Sequence, residues 1–414
     1  MSTAAPLRSL STDAAVRLAM QEAGRLGMRL EAQFIGSQRY PVAVSRLMRD
    51  HTEVAIGAGK GDGLEGLAGS HFEALECYYI SAPVNRRLAS ASVTLREARE
   101  VARQPDLAED LVIQRWAEDF PGSEAACATY KSARSSVWYP IFLCDPHYHR
   151  APLPGDSVGA YRSMIRYTSS LGTASGSNPQ EAHLHGLCEL IEHDACSLAL
   201  LRWFVARTPQ VDVVDVASMS GSVRLLHDAA AEATGSGVTL FDVTTDIGVP
   251  AYLAITDSCG AEAGQSGAGA SPVGEQAALR ALHELIQLAA LSDGSESRAA
   301  RTRLTAWPVL QECLISPSRL LRYRKVRYVP LRGNVGDAST MDSALDTVTS
   351  LLRRYNIFSY ACELTPPESL ISVVSTIAPG LERFSLVRMG IPVIPTGRGW
   401  RIWASAISSS ALDA

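Results

Sequence analysis

Three times along this chain a glycine-rich loop precedes a helix-forming stretch that carries two polar side chains three residues apart. The first runs from Gly57-Ala58-Gly59-Lys60-Gly61 to Glu73 and Glu76. The second runs from Gly172-Thr173-Ala174-Ser175-Gly176 to Glu189 and Glu192, and the third from Gly267-Ala268-Gly269-Ala270-Ser271 to Glu284 and Gln287. Residues i and i+3 share a helix face, so each helix presents a small oxygen-rich patch. Glu189 and Glu192 lie among Leu184, Leu187, Cys188, Leu190, Ile191, Ala195 and Leu198, which cover most of the helix circumference. Arg280, Glu284 and Gln287 lie among Ala277, Leu279, Ala281, Leu282, Leu285 and Ile286. A buried ionised carboxylate without a partner costs several kcal/mol or more. A fold that buries these helices must supply a base, a proton or a metal. One such pair alone reads as solvated glutamates. Three, each after a glycine-rich segment, read as a site. Converging, they would suit hard cations such as magnesium, and with them a nucleotide triphosphate.

Helix punctuation supports these assignments. Asn178 is an N-cap, Pro179 suits the first helical position, and Glu181 gives a capping-box-like arrangement. Asp62 and Glu65 have the same spacing ahead of the first helix. Other motifs fail. The Walker pattern needs glycine where Val54 stands and Ser or Thr where Gly61 stands. The dinucleotide fingerprint needs its third glycine at Asp62. Cys144-Asp145-Pro146-His147-Tyr148-His149 has no matching cysteine pair elsewhere and reads as a loop. His183 and His185, two apart on one helix, point apart. No G-x-S-x-G elbow supports a serine hydrolase.

The chain has 414 residues and a formal net charge of −5, with dispersed basic residues that give no nucleic-acid footprint. No apolar run reaches the ~18 residues of a membrane helix, and the first ten residues lack an apolar signal core. The eight cysteines sit mostly in apolar surroundings and read as reduced core residues, so a cytoplasmic protein is expected. Helices are expected over 12–26, 62–80, 179–205, 219–234, 274–291 and 341–354. Strands are expected over 29–35, 41–44, 138–143, 238–244, 251–256, 357–362 and 371–376. Residues 92–133 read as peripheral charged helices, and 259–274 as a mobile or ligand-ordered loop rich in Gly, Ala and Ser. This alternation indicates an α/β (α+β) fold with mixed sheets around central helices.

Several stretches together resemble the YcaO domain family. Gly59-Lys60-Gly61 before Ser70-His71-Phe72-Glu73-Ala74-Leu75-Glu76 resembles its first signature. Gly172-Thr173-Ala174-Ser175-Gly176 with Glu181-Ala182-His183-Leu184-His185-Gly186-Leu187-Cys188-Glu189-Leu190-Ile191-Glu192-His193-Asp194-Ala195 resembles the second. Asp242-Val243-Thr244-Thr245-Asp246-Ile247-Gly248-Val249-Pro250 and Arg280-Ala281-Leu282-His283-Glu284-Leu285-Ile286-Gln287 resemble the third, and Ala378-Pro379-Gly380-Leu381-Glu382 the C-terminal signature. The resemblance divides the chain into an N-terminal helix and strands (1–50), a catalytic domain (51–395) and a tail (396–414).

The resemblance implies an ATP- and Mg2+-dependent enzyme that phosphorylates a backbone amide oxygen of a ribosomally made precursor peptide, of antibiotic or bacteriocin type. The first reading is cyclodehydration of Cys, Ser or Thr to thiazoline or oxazoline. The second is thioamide or amidine formation by the same ATP chemistry. The third is a non-catalytic scaffold subunit. It implies that Glu73, Glu76, Glu189, Glu192 and Glu284 hold magnesium, that Gln287 and Ser70 place the nucleotide, and that Lys60 and Arg280 contact phosphates. Cys77 stands where the family often has arginine after the first acid pair. His193 stands at the equivalent place after the second, where it serves as a phosphate contact when protonated. The chain lacks the proline-rich tail of many azoline-forming members. With only about 50 residues before the first signature, a separate partner is expected to deliver the peptide: an E1-like or winged-helix leader-binding protein, or a TfuA-like protein. A homodimer or a hetero-complex is expected.

Overall fold

A computed structural model describes residues 7–36, 40–61, 63–81, 93–257, 265–292, 294–314, 321 and 324–412. In chain order the strands are β1 (Arg29–Gly36), β2 (Pro41–Arg49), β3 (Thr52–Gly59), β4 (Val93–Glu97), β5 (Glu124–Lys131), β6 (Ser136–Pro140) and β7 (Thr173–Gly176). They continue with β8 (Gln210–Val214), β9 (Val238–Asp242), β10 (Ala251–Thr256), β11 (Ser266–Ala270), β12 (Lys325–Val329), β13 (Tyr360–Glu363) and β14 (Ser372–Ile377). Among the described residues they form three sheets. One is the meander β1-β2-β3; another has the order β4-β5-β13-β14-β7 with β6 on β5; the last is β11-β10-β9-β8-β12. Only β12 with β8 runs parallel among the described pairings; the others are antiparallel.

The three acid-bearing helices occupy the seams. The first, Gly63–Ser81, lies on β3 and β2 and reaches β7. The second, Pro179–Leu200, is clamped between two sheets, touching β14 and β7 on one side and β10 and β11 on the other. Its buried Leu184, Leu187, Ile191 and Leu198 fill the largest core cluster, which is why apolar residues encircle it. Asn178 accepts the N–H of Glu181 at 3.0 Å with Pro179 next in line, as the punctuation predicts. The helix continues from Leu201 to Val205 as one wide π-type turn. The third, Gly274–Leu291, packs on β11, β10 and the Gly221–Thr234 helix.

Three expectations are corrected. The glycine-rich segments are not loops: Gly57 and Gly59 end β3, residues 173–176 are β7, and residues 266–270 are β11. Residues 258–264 of the expected mobile loop, and the capping residue Asp62, lie outside the described residues. Residues 93–133 are only partly helical and are not peripheral. Beside the helices Ala98–Ala102 and Leu111–Asp119, whose Trp116 is fully buried, they contribute β4 and β5. Their alanine-rich strand, Glu124-Ala-Ala-Cys-Ala, carries few of the β-branched residues that announce a strand. The strand expected over 138–143 stops at Pro140 and gives way to a helical turn, Ile141–Cys144.

The glycines have a packing role. A Cβ on Gly59 would sit 1.6 Å from the carbonyl oxygen of Gly66, and one on Gly57 would sit 2.3 Å from the backbone nitrogen of Ala74. Gly267 and Gly269 would meet the third helix's backbone at 2.3 and 2.2 Å, and Gly186 would meet Gly172 at 2.2 Å. Strand and helix backbones therefore touch directly at each repeat, with no side chain between them.

Near the C-terminus, buried Glu382 gathers five backbone N–H groups. Those of Arg383, Phe384 and Thr396 reach Oε1 at 2.8, 3.1 and 3.0 Å, and those of Gly397 and Gly399 reach Oε2 at 3.0 Å each. At the other end, fully buried Glu22 binds Arg25 at 2.7 Å, Ser369 at 2.9 Å and the N–H of Leu370 at 3.0 Å, with Tyr79 donating as well.

Candidate active site

The backbone contacts between strand and helix bring the acids into one cluster. Ser175 of β7 donates both its N–H (2.8 Å) and its hydroxyl (3.0 Å) to Glu76 on the first helix. Gly172, just before β7, donates its N–H to Glu189 at 3.0 Å. Glu192 accepts the N–H of Ala270 from β11, and Glu73 accepts that of Ala58 from β3. Gln287 of the third helix donates to the carbonyl of Ala58 at 2.6 Å. Lys60 Nζ lies 2.5 Å from Glu284 Oε2, joining the end of β3 to the third helix. The glycine segments thus serve the acids through their backbone groups, a role that the spacing of glycines alone does not reveal.

Electrostatics shows how close the patches come. Burial raises the pKa of Glu76 well above the ordinary carboxylate range, and the charges of Glu189 and Glu73 add to it. Burial likewise raises Glu73, with Lys60 opposing and Glu284 adding. It raises Glu189, with His193 opposing and Glu192 adding. Glu192 is pushed up to about 7, first by burial and then by Glu284, against the pull of Lys60 and Arg280. Burial lowers the pKa of the Lys60 ammonium, but Glu284 and Glu192 outweigh it and raise the pKa overall. All three helices therefore face one another across a site with more carboxylates than cations, the state that bound cations would relieve.

Among the described residues no three His, Cys, Asp or Glu side chains stand close enough to hold one metal by themselves. Magnesium does not require that. It keeps several waters and takes one or two carboxylates together with substrate phosphates. The donor set fits a magnesium nucleotide on this ground. Arg280 adds a second observation: its Nε is buried with no hydrogen-bond partner among the described residues. A buried guanidinium donor left open in this way suits a phosphate oxygen.

Two expected site residues are placed differently. Ser70 is fully buried, with its hydroxyl 2.6 Å from Ser45 and donating to the Leu67 carbonyl at 2.9 Å, so it ties the helix to β2. His193 sets its Nδ1 2.9 Å from the Ser385 hydroxyl. Burial lowers its pKa despite the nearby charges of Glu189 and Glu284, so it is neutral at neutral pH and the protonated phosphate contact is disfavoured. Cys77 is likewise no cation; burial pushes its thiol up to about 12. His183 and His185 each carry a buried ring nitrogen with no partner among the described residues, a feature their i, i+2 spacing does not signal.

No described helix is long and apolar enough to cross a membrane. The model of the family described as YcaO cyclodehydratase, ATP- and Mg2+-binding, matches residues 58–382. An uncharacterized protein in the tfuA 3' region of Rhizobium leguminosarum bv. trifolii is 29% identical over 254 residues, 56% of this chain and 57% of that one. An uncharacterized Methanothermobacter thermautotrophicus protein is 39% identical over 99 residues, 23% of each chain. The chain thus spans under two thirds of the length of these relatives. Among solved structures, YcaO from Methanopyrus kandleri bound with AMPPCP and Mg2+ superposes with a TM-score of 0.64 at 18% identity, covering 94% of this chain and 96% of that one. A heterocyclase in complex with substrate and cofactor gives 0.65 at 16% identity, covering 92% and 54%. One chain of the E. coli microcin synthetase McbBCD complex gives 0.59 at 12% identity, covering 91% and 95%. The α/β architecture and its sheets are those of these structures. With the family model running through all three acid helices to Glu382, the chain belongs to the YcaO family, whose cofactors are ATP and Mg2+.

Proposed function

We propose that this chain is an ATP-dependent enzyme that phosphorylates a backbone amide oxygen of a ribosomally made peptide and so opens the amide carbon to a sulfur nucleophile. The observation that carries this reading is the cluster of Glu73, Glu76, Glu189, Glu192 and Glu284 around Lys60, in which burial and neighbouring charge raise the carboxylates of Glu73, Glu76, Glu189 and Glu192. Bound Mg2+-ATP supplies the phosphoryl group that turns a poor leaving group, an amide oxygen, into a good one. The acids hold magnesium through one or two carboxylates at a time. Lys60 and Arg280 offset phosphate charge that grows in the transition state. Gln287 fixes β3 against the third helix, and Ser70 fixes the first helix to β2, so both act as positioning residues.

The relative from a tfuA region favours sulfide as the nucleophile, a thioamide as the product, and a TfuA-like partner. Cyclodehydration to an azoline is the second reading, favoured by the family's description as cyclodehydratases. In either case a separate protein presents the peptide. Two measurements test the proposal. Nucleotide binding that requires magnesium, and that is lost in Glu189→Gln/Glu192→Gln, is expected; equal binding by that variant would remove the acid cluster from the site. Mass spectrometry of the peptide then separates the readings. A thioamide gains the difference between sulfur and oxygen and needs added sulfide, an azoline loses one water per ring, and a scaffold leaves peptide and ATP unchanged.

A further inference from the structure

A small cavity of 20 Å3 lies beside the acid cluster, in the sheet that contains β7. Its position follows from the two elements that hold Glu76. Ile80 lies one helical turn beyond Glu76, and Thr173 lies two residues before Ser175, so both side chains sit about 6 to 7 Å along from the Glu76–Ser175 contact. Both line the cavity, with Tyr130, Cys144, Cys362 and Ser375. The volume holds little more than one water-sized group.

The walls select for chemistry. The oxygens are engaged with one another: Tyr130 Oη lies 2.9 Å from Ser375 Oγ, and Thr173 donates to the same Ser375 oxygen at 3.3 Å. Tyr130 also donates to Cys144 Sγ at 3.2 Å, and burial raises its pKa so that it keeps its proton. The rest of the lining is apolar residues with Cys144 and Cys362, whose sulfurs make weak contacts to the carbonyls of Ile141 and Glu363 at 3.6 and 3.8 Å. Such a lining offers water poor hydrogen bonding and suits a small, soft, weakly hydrated guest.

We propose that this cavity is the holding site for the incoming sulfur nucleophile, one molecule of hydrogen sulfide or hydrosulfide, with Tyr130, Cys144 and Cys362 as its recognising wall. The proposal rests on the thioamide reading above. The step it serves is balanced without an oxidant or reductant. Sulfide sulfur bonds to the amide carbon, the bond from that carbon to the phosphorylated oxygen breaks, and hydrogen phosphate leaves. Phosphorylation has released the amide N–H proton and left a carbon–nitrogen double bond, so one proton of hydrogen sulfide returns to that nitrogen and the other leaves on the phosphate; hydrosulfide supplies only the first, and the phosphate takes its proton from solvent.

The test is to fill the cavity. Ala128→Val and Cys362→Val each add bulk to its lining, and magnesium-dependent ATP binding reports whether each variant has folded. The expected result is a KM for sulfide raised roughly tenfold or more, with the KM values for peptide and ATP unchanged. An unchanged sulfide KM in the filled variants would overturn the proposal while leaving the thioamide reading intact. Sulfide-independent azoline formation by the wild type would overturn both. A check on the unmodified protein is a bromide soak of its crystals, bromide being close to hydrosulfide in size and charge. Anomalous density in the cavity supports the site; water alone there counts against it.

Discussion

The direct backbone contact at β3 makes Gly59→Ala the most informative single substitution. The new methyl would lie 1.6 Å from the Gly66 carbonyl oxygen, 2.6 Å from its carbon and 2.7 Å from the Ser70 nitrogen. All three are backbone atoms, so no side chain can swing aside. Reaching even 3.0 Å requires strand and helix to part by about 1.4 Å. Overpacking of this kind costs about 1–3 kcal/mol, and a rigid obstacle places this case near 3 kcal/mol. The displacement falls between Lys60, which follows Gly59, and the helix bearing Glu73 and Glu76. A misplacement of ~1 Å in a catalytic constellation costs on the order of 10²-fold in rate. The assay is denaturant unfolding with magnesium-dependent nucleotide binding on the same preparations. Gly221→Ala, with nothing within 4 Å of its added methyl, is the control and should stay within about 0.5 kcal/mol of wild type. If Gly59→Ala matched that control in both stability and binding, the claim that backbone contact sets the acid geometry would be wrong.

Three more outcomes are expected. Glu192, raised to about 7, holds a proton in the nucleotide-free protein below that pH. Magnesium-nucleotide affinity should therefore climb between about pH 6 and 8 with release of a proton, as titration calorimetry in buffers of different ionisation enthalpy would show. Because the folded form binds more protons than the unfolded one between the ordinary carboxylate value and about 7, this group lowers apo stability as pH rises through that window. Lys60→Met removes the 2.5 Å contact to Glu284 and should weaken nucleotide binding by about 1.5–3 kcal/mol, read by equilibrium titration; an unchanged affinity would exclude Lys60 from the phosphate cradle. Glu22→Gln breaks a fully buried network and should cost about 3 kcal/mol of stability with little change in nucleotide affinity. Glu22 is held down at about 2, so its contribution is present above the ordinary carboxylate range and fades as pH falls toward 2; a variant with the wild-type acid-unfolding curve would contradict this.

The acid helices were legible because polar residues repeated at i and i+3 inside apolar helical stretches depart from the burial rule. The cap of the second helix was legible for local reasons, Asn178 followed by Pro179. The strands before them were not. Gly57-Ala58-Gly59 and Gly267-Ala268-Gly269 carry only hydrogens and methyls to show alternation, and their strand character comes from pairing with the preceding strands β2 and β10. The stitching of Glu76 to Ser175 and of Glu73 to Ala58 was equally hidden, since a backbone N–H belongs to every residue but proline and leaves no mark in a sequence. The burial that lowers the pKa of His193, whose ring meets Ser385 nearly two hundred residues along the chain, was hidden as well.

The five amides collected by Glu382 span residues 383 to 399, so one side chain closes a chain loop that no disulfide and no sheet closes among the described residues. Opening any one of those bonds leaves the other four in place, whereas protonating or removing the carboxylate releases all five. Their amide protons should accordingly exchange with solvent together, as one cooperative unit, and the Trp400–Leu412 helix that follows should loosen with them.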